Sequence, residues 1–327
     1  MNSRRRGRVR LAALAALSLG LVSVVAGGSV WGAFGAGSAN AGNTITAAAD
    51  FLAPTSSATM IAKAAGGVPG YIRPGGTYYV YANVADSGNP ASGVASVTAD
   101  VSSISSGQTA AALAAGSFTV GGVSYNRRSA SLTAAAALAE GSAPYSLTMT
   151  DAAGNSATLG SLSVTVDNTP PSAADIQTAN GSTIVGRAQQ GDTITYTFSE
   201  PPEPESILAG WGGAATPVVV RLNNGASDTV TIYNAANAIQ LPLGTVDLGR
   251  TGYTTSNITF GATGTASSMV LSGSTIVVTL GTQSAAATTV SGNGKMIWTP
   301  SATATDRAGN AMSTAPKTSS TSPNKEF

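Results

Sequence analysis

The chain has 327 residues, 43% hydrophobic and only 9% charged, and its formal net charge is +1. That length fits two domains of ordinary size once an export signal is set aside, and near-neutrality gives no field for nucleic acid, so none is expected as a partner. There is no histidine and no cysteine, which excludes a Ser-His-Asp triad, ordinary zinc or iron sites, disulfides and thiol nucleophiles, while carboxylate chemistry and calcium stay open.

At the N-terminus, Arg4, Arg5, Arg6, Arg8 and Arg10 precede an apolar run from Leu11 to Ala26. A basic stretch before an apolar one is the layout of a secretory signal, which leaves no membrane segment in the mature form. The alternative is an uncleaved anchor, for which the run is barely long enough. Residues 27–48 include Trp31-Gly32-Ala33-Phe34 and then Gly42-Asn43-Thr44-Ile45-Thr46. This stretch resembles the signal region of the camelysin and biofilm-matrix-fibre family. The resemblance implies cleavage by a dedicated signal peptidase near Ala33. Ala39-Asn40-Ala41 is the competing site, an A-x-A match for ordinary signal peptidase.

Beyond the signal, Thr77 to Asp86 alternates cleanly, with Tyr78, Val80, Ala82 and Val84 on one face and Tyr79, Tyr81 and Asn83 on the other. Strands are expected at 94–101, 117–125 and 129–133, with a Gly121-Gly122 hairpin turn. The alanine-rich run 110–115 reads as one helical turn or a small-residue loop. An alternating strand then runs into Asp151-Ala152-Ala153-Gly154-Asn155, where Asp caps a tight turn and Gly-Asn supplies positive φ. Val164-Thr165-Val166-Asp167-Asn168-Thr169-Pro170-Pro171 reads as a last strand and a stiff linker. Asp192-Thr193-Ile194-Thr195-Tyr196-Thr197-Phe198 opens a second series, with strands expected at 218–222, 229–233, 258–260 and 274–280. That series closes on Asp306-Arg307-Ala308-Gly309-Asn310.

The two closing turns and the Val-Asp-Asn-Thr-Pro-Pro linker resemble the end of bacterial Ig-like repeats found in large surface proteins. Short strands between turn signals, with no sustained helical period, point to the same fold class: all-β, two tandem immunoglobulin-like β-sandwiches behind a signal peptide. The expected plan is a signal and cleavage region at 1–41, one sandwich at 42–169, a second at 170–316 and a disordered polar tail at 317–327.

Candidate sites are few. Asp151 and Asn155, with Asp167 and Asn168 at the linker, offer hard oxygens for calcium near a domain junction, and Asp306 with Asn310 is the matching pair. The competing account is that these residues serve turn geometry alone. Glu200, Glu203 and Glu205 form the densest charge, and two of them could serve a glycosidase as acid and base. Their proline-rich setting instead suggests a solvated loop without the burial that raises a pKa. Trp211, flanked by glycines, and Tyr79 with Tyr81 on a strand face, could stack on sugar rings; core filling is the other fate of Trp211 and is expected for Trp298.

These features favour a structural or adhesive protein of the cell envelope or extracellular matrix, not an enzyme, and secreted or held at the cell surface. No cofactor is implied beyond calcium. Expected partners are cell-envelope polymers, other surface proteins or further copies of the chain through edge strands. A carbohydrate-binding module is the alternative, and a secreted glycoside hydrolase the third.

Overall fold

The structure is a computed structural model that describes residues 50–327, so the expected signal and its cleavage sites lie outside the described residues. The chain is nearly all β and builds two sandwich units in tandem. Strands β1 (Thr55–Lys63) to β9 (Ser156–Val166) make the first, and β10 (Ala173–Ala179) to β19 (Lys317–Thr318) the second. The six residues between β9 and β10 include Pro170 and Pro171, where the sequence places the joint.

In the first unit the sheet path is β1-β3-β6-β5-β4-β8-β9-β2, with β7 (Leu132–Thr133) on β3. Here β2 is Tyr71–Ile72, β3 Thr77–Ala85, β4 Val94–Asp100, β5 Ala111–Val120, β6 Val123–Ser129 and β8 Gly141–Asp151. β2 joins β9 parallel, and the other pairs are antiparallel. The core takes the alternate residues that the pattern marks, among them Tyr78, Val80, Ala82 and Val84 of β3 and Leu147 and Met149 of β8. Gly121 and Gly122 turn the β5–β6 hairpin with φ of 56° and 77°, conformations open to glycine and strained for other residues.

The alanine-rich run is neither helix nor loop. It begins β5, which pairs first with β4 (Thr98 to Ala112) and then with β6 (Leu113 to Ser129), passing from one layer to the other. Its small side chains carry little amphipathic signal, and cross-strand pairing decides its state.

In the second unit β12 is Thr216–Asn223, β13 Thr229–Asn234, β14 Gln240–Asp247, β16 Ser267–Ser272 and β17 Thr275–Thr279, and the path is β10-β11-β17-β16-β12-β13-β14-β18-β19, with β15 (Ile258–Phe260) on β12. β11 (Thr193–Phe198) buries Ile194, Tyr196 and Phe198 in alternation. Trp298 on β18 (Ile297–Thr299) is fully buried, as expected. Its ring stands edge-on to Tyr196 and Phe198, each at 5.1 Å between centroids, and its indole N–H donates to the Leu243 carbonyl at 2.6 Å. Such T-shaped packing adds to area burial, and the bonded N–H removes the cost of burying a polar group.

The tail departs from expectation. Rather than a disordered segment, it adds β19 to β18, and Ser319, Glu326 and Phe327 are buried. Phe327 packs edge-on against Tyr253 at 6.1 Å, and the Thr178 hydroxyl donates to Glu326 Oε2 at 2.6 Å. A polar composition hid the few anchors that hold it. Among the described residues no helix is long and apolar enough to cross a membrane.

Candidate functional site at the domain junction

Each unit closes on the same latch. Asp151 Oδ1 accepts the Asn155 N–H at 2.8 Å, and the Asn155 side-chain amide donates to Asp151 Oδ2 at 2.7 Å and to the Asp50 carbonyl at 3.1 Å. In the second unit Asp306 Oδ1 accepts from Asn310 N at 2.8 Å, while the Asn310 amide donates to Asp306 Oδ2 at 2.7 Å and to the Asp167 carbonyl at 2.9 Å. Gly154 and Gly309 supply the positive φ, at 92° and 94°, that turns the chain back. The Asp-x-Ala-Gly-Asn turn therefore ties the end of a sandwich to the residue that opens it.

This arrangement gathers two carboxylate trios, Asp50 with Asp86 and Asp151, and Asp167 with Glu200 and Asp306. In each, one oxygen from every residue lies within 4.8 Å of the others. The four residues expected to share a calcium site are thus divided. Asp151 and Asn155 belong to the outer pole of the first unit, Asp167 belongs to the joint, and Asn168 is exposed beside it. Asp50, Asp86 and Glu200 were missed as trio members. An internal alignment would have found them, since Asp50 and Asp167 precede the first strand of their units and Asp86 and Glu200 follow matching strands.

The trios differ in how their charge is met. At the outer pole each carboxylate oxygen accepts an amide N–H: from Leu52 and Ser92 on Asp50, Gly88 and Gly93 on Asp86, and Asn155 twice on Asp151. The Leu52 and Ser92 amides hold the Asp50 carboxyl below its ordinary value. At the joint, Glu200 Oε1 is buried with no partner. Burial, followed by the facing Asp167 carboxylate and the nearby Asp306 and Glu140, pushes Glu200 up to about 8. Burial also raises Asp306 despite its amide bonds. An open crevice of ≈ 350 Å³, lined by Glu140, Asp167, Thr169 and Glu200, gives solvent access to this trio.

A second contact spans the joint. Lys63, the last residue of β1, places its ammonium 2.6 Å from Glu203 Oε2, with side chains 9% and 4% exposed. The same ammonium donates to the Arg307 carbonyl at 2.7 Å, and the Val68 N–H reaches Glu203 Oε2 at 2.8 Å. Gly67, at φ +86°, lies against the Glu203 carboxyl, which a Cβ would strike. Glu203 is fixed from its own side by a backbone bond to the Thr305 carbonyl and caps the short helix α1 (Pro204–Ile207). The acidic cluster is therefore not a facing pair, and of its three glutamates only Glu205 is exposed as a solvated loop would have it. Glu203 is spent on Lys63 and Glu200 on the trio.

The aromatic candidates separate as well. Trp211 is 5% exposed and its indole N–H donates to the Ala214 carbonyl at 2.6 Å, so it is core and offers no ring to a sugar. Tyr81 is buried and Tyr79 half-buried on the outward face of β3, in a patch with Phe118 and Tyr125. No family model matches the chain, and no curated protein matches it.

Removing one partner of a buried ion pair costs about 3–5 kcal/mol, whereas replacing both by apolar groups is often neutral. Lys63→Met should lower stability by about that amount in denaturant unfolding, and Lys63→Met with Glu203→Leu should recover most of it. Equal loss in single and double variants would refute the pairing. Because the folded state holds the Glu200 proton more tightly than the unfolded chain, its contribution is complete below about pH 4.5 and is lost as pH rises through about 8. In chelator-treated protein, stability should fall across that window, and Glu200→Gln should flatten the fall. Parallel profiles would contradict it.

Proposed function

We propose that the chain is an exported structural component of a cell envelope or extracellular matrix, a spacer of two sandwiches whose joint is fixed and stiffened by calcium. The observation that carries this reading is the buried Lys63–Glu203 pair across the joint. A linker meant to flex would not desolvate two charges in a single geometry. The Ig-like closing turns and the low charge content support the same reading, as does the basic-then-apolar N-terminus.

Calcium fits the joint on chemical grounds. Asp167, Glu200 and Asp306 are hard oxygen donors, one Glu200 oxygen is buried without a partner, and the carboxylates repel one another until a cation or a proton intervenes. Backbone carbonyls and water would complete the six to eight oxygens that calcium takes. The outer-pole trio, already met by amides, has less need of one.

A carbohydrate-binding module is the second reading, favoured by the outward aromatic patch around Tyr79. The hydrolase reading is weakened because Glu203 is paired and Glu200 faces carboxylates at the joint. A mature protein that hydrolysed polysaccharide and lost this activity in Glu203→Gln would overturn the structural assignment.

Calcium at about a hundred times its dissociation constant should stabilise the folded state by about 2.7 kcal/mol. Calorimetric titration at neutral pH should find one dominant calcium site in the wild type and none in Asp167→Asn with Glu200→Gln. Unchanged calcium binding in that double variant would place the ion elsewhere.

A further inference from the structure

Resting on the carbohydrate-binding reading, we propose that the outward face of β1, β3, β6 and β5 binds an anionic polysaccharide, with sugar rings on Tyr79 and Phe118 and a carboxylate on Arg128. The register places Arg128 opposite Tyr81, on the face away from the core. Its guanidinium carbon lies 4.6 Å from the Tyr79 ring centroid and 4.4 Å from that of Phe118. The cation is thus held between two rings at cation–π distance.

Three features point to an anion. First, the four strands carry Lys63, Arg127 and Arg128 and no Asp or Glu, although from residue 50 onward the chain has fifteen carboxylates against eleven cations. Lys63 is spent on Glu203, and neither arginine has an ion-pair partner among the described residues. Second, the Arg128 guanidinium makes no hydrogen bond and no ion pair among those residues, and the side chain is part-exposed. A guanidinium already ordered by stacking loses less freedom when a planar carboxylate docks on its fork. Third, the rings beside it give the apolar surface on which sugar faces lie, and Tyr81 and Tyr125 behind them fix its shape. A patch that only needed a roof could use an aliphatic side chain without setting an unpaired cation at its centre.

The probes are alginate, polygalacturonate and hyaluronan, each beside its carboxyl-methylated ester, tested on the mature protein by affinity electrophoresis and calorimetry. We expect at least one acidic polymer to bind more tightly than its ester. Losing a charged hydrogen bond costs about 1.5–3 kcal/mol, so Arg128→Gln should weaken that binding about tenfold or more. Tyr79→Ala should weaken it comparably, and Arg128→Lys, which keeps the charge but loses the fork, should fall between. Arg73→Gln, an exposed cation of the same unit, should change it less than twofold. Thermal unfolding of each variant separates lost binding from lost fold.

Equal binding of acid and ester, lost in Tyr79→Ala but not in Arg128→Gln, would overturn the anionic assignment and keep the carbohydrate-binding reading. No binding to any polymer would overturn both. A dimer that Tyr79→Ala dissociates, without polymer binding, would assign the face to a second copy of the chain and also overturn the proposal.

Discussion

Two sandwiches joined by six residues could sit at many angles, and the contact that selects one is the ion pair between Lys63 and Glu203. Desolvating both charges is costly, and the cost is offset only when geometry and hydrogen bonds are complete. Here they are: the ammonium also meets the Arg307 carbonyl, the carboxylate also takes the Val68 N–H, and Gly67 leaves room for it. The joint follows from this requirement. Lys63 must end β1, the 66–68 turn must bring an amide to the carboxylate, and Glu203 must be held by the Thr305 carbonyl next to the closing turn of the second unit.

The closing turns connect local chemistry to this larger order. Each uses an Asp carboxylate to shape its loop and an Asn amide to reach the opening residue of its own unit. In the second unit that opening residue, Asp167, is also the first of the linker, so one amide serves both fold and joint. The same closure draws three carboxylates together. Where amides answer them, at Asp50, Asp86 and Asp151, the charges are settled within the protein. At the joint amides answer Asp306 and one oxygen of Asp167, but Glu200 Oε1 is left without a partner, and it is there that the proposed calcium would sit.

Much of the fold was legible because strands are a short-range signal. The alternation of 77–86 gave the core face of β3 residue by residue, Gly121-Gly122 gave a hairpin, and the two closing turns marked where sandwiches end. Trp298 lay where an aromatic between alternating neighbours belongs. What escaped was set by distant partners. The alanine-rich start of β5 is a strand only because β4 and β6 flank it. For Trp211 the flanking glycines left sugar stacking and core filling both open, and the structure places it in the core. The polar tail concealed Phe327.

The candidate site was half legible for the same reason. Asp151, Asn155, Asp167 and their counterparts stood out as turn residues, yet sequence proximity to the linker does not say which trio each joins. Glu203 stood out as charge, but its partner lies 140 positions away. No local pattern reports such a pair. It emerges only when a sandwich places the end of its first strand against the next unit.

The fixed joint is tested most directly by pulsed electron resonance between one spin label in each unit. With no native cysteine, Ala112→Cys on β5 and Ser272→Cys on β16 (Ser267–Ser272), both exposed, can be labelled cleanly. The account predicts one narrow distance distribution that broadens when Lys63 is replaced by Met. A broad distribution in the wild type, or a narrow one that Lys63→Met leaves unchanged, would contradict it.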